Sequence, residues 1–195
     1  MSSEIWLITG AQASGKSTVA ELLAHRFVHG VHVRGGQFYR WVARGWVHFD
    51  DETQRAEARR LLDLRYRLSA IVAAEYAGAG FTAIVQDNIY GDDVSRWLGR
   101  VAPHRTHLVV LRPRVEIIEA RHEARRLKTG KTAFRGAYTP AQNDTDVART
   151  PRHLGLWLDT SDQTPDETWR RFSPFANRPS SALQRSHVLA ESARA

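Results

Sequence analysis

ITGAQASGKST, residues 8–18, lies almost at the start of a 195-residue chain. Within it, Gly10, Ala11, Gln12, Ala13, Ser14, Gly15, Lys16 and Ser17 fit G-x-x-x-x-G-K-[ST] at every fixed position. The apolar run Ile5-Trp6-Leu7-Ile8 ahead of it reads as a buried strand, and a helical pattern follows over about 17–27. That strand–turn–helix context gives the motif its meaning. Glycines let the backbone wrap closely, so that successive N–H groups and the positive end of the helix converge on phosphate oxygens. In this reading Lys16 reaches the terminal phosphates, Ser17 ligates Mg2+, and Thr18 completes the cradle. The bland alternative is a glycine-rich turn that binds nothing, and the flanking strand and helix argue against it.

Outward from this stretch, short apolar runs alternate with longer segments of helical period. Val31-His32-Val33 is a short strand candidate. Leu61, Leu64, Leu68, Ile71, Val72 and Tyr76 fall at three- and four-residue steps and predict the buried face of a long helix, ended by Gly78 and Gly80. Residues 81–85 read as the next strand, 94–101 as a helix, 107–111 as a strand, and the segment from Pro113 to about residue 127 as a helix. A basic, polar stretch over 128–146 follows, then a last strand within 154–160. Thr164, Pro165, Asp166 and Glu167 announce a final helix. This alternation predicts an α/β fold with a parallel sheet covered on both faces and a ligand site at the carboxyl ends of the strands. Residues 1–172 form the expected domain, with a small lid over about 125–148. The tail over 173–195 reads as a disordered extension or an appended helix.

Composition is that of a soluble globular chain, 42% apolar and 25% charged. No apolar run approaches the ~18–20 residues that cross a bilayer, and the N-terminus lacks the features of a signal peptide, so the expected location is cytoplasmic with no membrane partner. Zero cysteines exclude disulfides and thiolate metal sites. The excess of 28 Lys+Arg over 21 Asp+Glu, +7 in all, suits either a polyphosphate site or nucleic acid. The basic residues concentrate in the lid and tail rather than interleaving with aromatics on one surface, which argues against nucleic acid.

The residues at the strand ends are the site candidates. Asp87 ends an apolar strand, where it can hold Mg2+ through water, accept a proton from a substrate hydroxyl, or serve simply as a turn acid. Asn88 beside it is a candidate for orienting substrate. Arg121 and Arg125 share one helix face, with Arg126 to the side, and Lys128, Lys131 and Arg135 carry the charge onward. Arginines so placed can close over a nucleotide and stabilise the transferring phosphoryl group; a solvated basic face is the alternative. Arg34, Gly36, Gln37 and Arg40 stand where an acceptor would bind, with Phe38, Trp41, Trp46 and Tyr66 as either pocket walls or core. A guanine-specific switch protein is disfavoured because NKxD is absent and the third strand lacks DxxG.

With these residues in place, the P-loop, HVRGxxF, IVQD, VVLxPxxEIIxxR and GLWLDTSxxTPDET together resemble bacterial P-loop phosphotransferases of the AAA family, similar to the chloramphenicol phosphotransferase type and more distantly to gluconate and shikimate kinases. The resemblance covers about 4–171. It implies a nucleoside-monophosphate-kinase-like, three-layer core with a five-stranded parallel sheet and a helical lid. It also implies ATP and Mg2+ as cofactors and a small-molecule hydroxyl, an antibiotic or another metabolite, as acceptor. Arg121 and Arg125 become lid arginines. One departure matters: relatives carry an aspartate, the usual general base, where this chain has Gly36. Asp87 taking that role, a reaction that leans on positioning and charge, and reduced activity all stay open. A nucleic-acid kinase, a nucleotide-sugar kinase and a silent nucleotide sensor are the competing functions.

Overall fold

The computed structural model describes residues 3–47, 49, 51–130, 132, 134 and 138–176. The expected tail over 177–195 and the lid residues Lys131 and Arg135 lie outside the described residues. Five strands form one sheet in the order β2-β3-β1-β4-β5. They are β1 (Ile5–Gly10), β2 (Gly30–Arg34), β3 (Thr82–Gln86), β4 (Thr106–Leu111) and β5 (Leu156–Leu158), and every pairing is parallel. The helices are α1 (Lys16–Ala24), α2 (Gly36–Arg40), α3 (Arg55–Gly78), α4 (Asp92–Val101), α5 (Val115–Thr129), α6 (Pro140–Ala148) and α7 (Pro165–Ala176). The α/β class and the five parallel strands expected from sequence are those found. Among the described residues, no helix is long and apolar enough to cross a membrane.

Strand alternation divides the core in two. Ile5, Leu7, Ala83, Val85, Leu108 and Val110 face a cluster completed by α3, α4, Ile118 of α5 and Val147 of α6. Trp6, Ile8, Ile84, Val109 and Leu111 face the opposite cluster, closed by Val19, Ala20 and Leu23 of α1 and Phe172 of α7. All six β1 residues are buried, as a central parallel strand covered on both faces requires. At roughly 1.5–3 kcal/mol for each fully buried large apolar side chain, these two layers supply the main driving force for folding.

The long helix departs from the expected stripe. Its buried face carries Ala58, Leu61, Tyr66, Ser69, Ala70, Ala73 and Ala77, while Ile71 is 50% exposed and Tyr76 40% exposed. Small side chains let α3 lie close against its neighbours. There the fully buried Trp97 of α4 donates its indole N–H to Ser69 Oγ at 2.9 Å. The stretch read as basic and polar over 128–146, within the expected helical lid, carries the regular helix α6 at its end. Thr139 caps it: its hydroxyl accepts from the Gln142 N–H while the Gln142 side chain accepts from the Thr139 N–H. At the other end of the chain α7 continues to Ala176, past the expected boundary at 172.

Register places the P-loop in the middle of the carboxyl edge. Gly10 lies opposite Leu111 and Ile8 opposite Gln86, so β1 ends between β3 and β4; β1 leads into α1 on one face and toward β2, β4 into α5 on the other face and toward β5. This switch in strand order leaves the crevice where α/β sheets bind ligands.

Candidate active site

Two glycines shape the turn after β1. Gly10 has φ +131°, and a Cβ there would fall 1.9 Å from the Leu111 carbonyl oxygen, so only glycine permits the approach to β4. Gly15, at φ +94°, turns the chain into α1 as its N-cap, and no side chain caps that terminus. The Thr18 N–H already donates to Gly15 O at 3.1 Å, which leaves the N–H groups ahead of it and the positive dipole end of α1 open to a ligand.

A cavity of about 390 Å3 opens over this terminus. The P-loop from Gln12 to Thr18 forms its floor, Gln86 and Asn88 one wall, and Arg121, Arg125 and Thr132 the other. Lys16 is buried, and its ammonium donates to Gly10 O at 2.9 Å and Ala11 O at 2.6 Å. Burial, followed by the charges of Arg65 and Arg125, pulls its pKa down to about 7. A polyanion entering the cavity would reverse that by restoring a partner for the charged form.

The two arginines expected in a lid do converge here. Arg121 is aimed by the loop after β5, its guanidinium donating to Thr160 O at 2.9 Å and Ser161 O at 3.3 Å. Arg125 lies one turn further on the same face and lines the cavity. Arg126 instead makes a two-point pair with Glu123 on the helix surface. A second cavity of about 480 Å3, beside β5, also carries arginines. There Arg112 is paired with Asp144 at 2.7 and 2.8 Å, and Arg114 with Asp162 at 3.0 Å. Those two charges are already answered and Arg152 there lies over the Trp157 ring, so the cavity over the P-loop is the candidate anion site.

Asp87 is not where its position at a strand end suggests. Gln86 follows the parity of Ile84 toward α1, and its Oε1 accepts from the Ser17 hydroxyl at 3.1 Å. Asp87 takes the opposite parity toward α3 and is fully buried. Arg65 Nε donates to Asp87 Oδ2 at 3.1 Å, a second guanidinium N–H donates to Oδ1, and the Asn88 N–H donates to Oδ1 at 2.7 Å. The expectation that Asp87 faces the phosphates as base or metal group is therefore corrected: alternation turns it away and Arg65 occupies it.

The acceptor-side candidates are dispersed. Arg34 pairs with Glu21 of α1 at 2.6 Å, and hydrogen bonds from His32 and then Arg34 hold the Glu21 carboxyl down at about 2. Gly36 is exposed with nothing within 4 Å of where a Cβ would stand, Gln37 is half-buried and Arg40 exposed. Of the five residues expected to serve the acceptor, only Asn88 lines the phosphate cavity. Phe38 and Tyr66 are buried, whereas Trp41 is 68% and Trp46 39% exposed.

Arg65 and Asn143 escape the sequence reading, and Gln86, a polar residue at a strand end, is given no role by it. Asn143 of α6 is fully buried, and its Oδ1 accepts the P-loop N–H of Gln12 at 2.7 Å. Its Nδ2 donates to Tyr138 Oη at 3.1 Å. The helix that carries Asn143 was signalled by Thr139-Pro140-Ala141-Gln142, a capping box with proline at its first position.

No model of a known protein family and no curated protein matches the sequence. Solved structures do. The chain is similar to the APS kinase of Mycobacterium tuberculosis in complex with AMPPNP and APS, with a TM-score of 0.64 at 19% identity over 90% of this chain and 98% of that one. It is also similar to the tunicamycin resistance protein of Deinococcus radiodurans, with a TM-score of 0.60 at 11% identity over 91% and 97%. A gluconokinase from Sinorhizobium meliloti 1021 gives 0.53 at 16% identity over 87% and 88%. The fold is that of the P-loop kinases.

Proposed function

We propose that this protein is an ATP-dependent phosphotransferase that moves the terminal phosphate to a hydroxyl of a small molecule. The observation that carries the reading is the convergence of the buried Lys16 ammonium, Arg121 and Arg125 on one cavity over the uncapped N-terminus of α1. Phosphoryl transfer asks a protein mainly for positioning and charge stabilisation, and this is the arrangement that provides both. The P-loop N–H groups would hold the β- and γ-phosphates, Lys16 the γ-phosphate, and Arg121 and Arg125 the charge that builds during transfer. Ser17 and Gln86 present two neutral oxygens at the phosphate site, a donor set that fits Mg2+. Held by these two residues, the cation would supply positive charge against the charge that develops during transfer.

No acid stands at position 36, and Asp87 is committed to Arg65, so in this reading the acceptor hydroxyl attacks the terminal phosphorus with little base assistance. General-base contributions are typically ~10²–10⁴-fold, which makes this a slow enzyme with its present sequence. A nucleotide-binding protein of reduced activity is the second reading, favoured by the same observation. The folds it resembles act on different compounds, and the tunicamycin resistance protein among them makes a hydroxylated antibiotic one acceptor class to test, in keeping with the chloramphenicol phosphotransferase type. A cytoplasmic location would suit the proposed use of ATP. The deciding experiment is an ADP-release screen across hydroxylated antibiotics, nucleosides and sugars, with Lys16→Ala alongside. ADP release that persists in Lys16→Ala would contradict the proposal.

A further inference from the structure

We infer that Gln86, and not a carboxylate, is the third-strand side chain that serves the divalent cation, its amide oxygen and the Ser17 hydroxyl forming the protein's share of the Mg2+ site. The inference rests on reading the cavity as a nucleotide site. Its basis is the alternation of β3: Ala83 and Val85 face the α3 cluster, and Ile84 faces the α1 cluster. Position 86 must then stand over the start of α1, where Ser17 is, and position 87 must turn to α3, where Arg65 is. The acid lies one residue too late to reach the cation. The close approach of Asp87 to β2 fixes it further, because even a Cβ on Gly35 would fall 1.9 Å from Asp87 Oδ2.

Geometry and chemistry agree with this. Ser17 Oγ and Gln86 Oε1 are 3.1 Å apart. Two adjacent oxygens of an octahedral Mg2+ bound at ~2.1 Å stand about 3 Å from each other, so both can join one coordination sphere with little movement. Both are hard oxygen donors, the kind Mg2+ prefers. Neither carries charge, so free Mg2+ has little to hold it, and the nucleotide phosphates supply the anionic ligands. The cation therefore arrives with the nucleotide. Among the described residues no group of three or more His, Asp or Glu side chains is placed to hold a metal alone.

The test is a calorimetric titration of ATP into the full chain, first in EDTA and then across Mg2+ concentrations, for the parent, Gln86→Ala, Gln86→Glu and Asp87→Asn, with circular dichroism confirming the fold of each. The parent is expected to bind ATP in both conditions, more tightly with Mg2+. Gln86→Ala keeps the affinity in EDTA and raises the half-saturating Mg2+ about tenfold, the low end of the loss typical of metal-orienting groups. Gln86→Glu, which keeps the length and adds charge, brings that value back to the parent's or below it. Asp87→Asn leaves it unchanged. An unshifted Mg2+ requirement in Gln86→Ala, or a shift in Asp87→Asn equal to that in Gln86→Ala, overturns the inference while the nucleotide site stands. A parent that binds no ATP in either condition overturns the nucleotide reading itself.

Discussion

Arg65 of α3 and Asp87 at the end of β3 form a two-point ion pair almost withdrawn from solvent, with the side chains 11% and 0% exposed. A buried pair returns little net stability when intact, because desolvating both charges offsets their attraction. Removing one partner is another matter. Asp87→Ala leaves a guanidinium without its acceptor beside the buried Lys16 and is expected to cost about 3–5 kcal/mol; Arg65→Ala strands the carboxylate at similar cost. The double variant should lose less than the sum, with a coupling of about 1–3 kcal/mol. Urea unfolding of the four proteins measures this, and additive single losses would show that the pair does not act as a unit.

Lys16 makes nucleotide binding a proton-linked event. Its pKa is lowered from 10.5 to about 7 in the free protein, chiefly by burial. Between these values the unfolded chain holds a proton that the folded chain has released, so stability rises with pH from about 7 to 10.5 and Lys16→Met flattens that slope. Phosphates favour the ammonium and raise the pKa again. At pH 8.5 ATP binding should therefore take up close to one proton, and affinity should fall by up to about tenfold per pH unit above 7. Calorimetry in buffers of different ionisation enthalpy reads the proton directly. A heat that is independent of buffer would mean that Lys16 does not change state.

Asn143, itself fully buried, ties α6 to the P-loop by accepting the N–H of the half-buried Gln12 at 2.7 Å. Asn143→Ala leaves that donor unmatched and should cost about 1–3 kcal/mol. The looser P-loop should also bind ATP more weakly, because its N–H groups must then be ordered by the ligand. Thermal unfolding and ATP titration check the two effects. An unchanged unfolding midpoint would show that water replaces the side chain without loss.

How far these features could be read in advance follows from the range of the interactions. The P-loop was legible because its chemistry is local: fixed spacing, a strand before it and a helix after it. The parallel sheet followed from alternation, and the convergence of Arg121 with Arg125 from helical periodicity. Arg65 and Asp87 are 22 residues apart and meet only because α3 crosses back over β3, so no local pattern announces them. The opposite facing of Gln86 and Asp87 is implied by the two-residue period, but which face holds α1 is a property of the sheet order. The α3 stripe was read only in part: Leu61, Leu68 and Val72 do face the core, but Ile71 and Tyr76 do not, and alanine and serine at 69, 70, 73 and 77 carry close packing without standing out as apolar. The capping box at Thr139 was local and readable, and the polarity of its surroundings hid it.

Gly36 gives the sharpest test of mechanism. It opens α2 on the exposed edge after β2, next to Gly35, whose N–H donates to Gln86 O at 3.0 Å. Nothing lies within 4 Å of a Cβ placed there, and the position is free of the left-handed strain seen at Gly10 and Gly15. Aspartate is thus accommodated. In the first turn of a helix it loses glycine's backbone entropy penalty and meets the positive dipole end, so stability should hold within about 1 kcal/mol of the parent or rise above it. The new carboxylate has no arginine committed to it, unlike Asp87, and is available to a hydroxyl acceptor. Gly36→Asp should then raise kcat about 10²-fold or more with a productive acceptor, and the gain should fade below pH ~4 as the acid is protonated. Gly36→Asn, with the same shape and no base, should leave kcat at the parent's value. Equal turnover by parent and Gly36→Asp with every acceptor would show that proton removal does not limit this reaction, and that the charge gathered by Lys16, Arg121 and Arg125 carries catalysis alone.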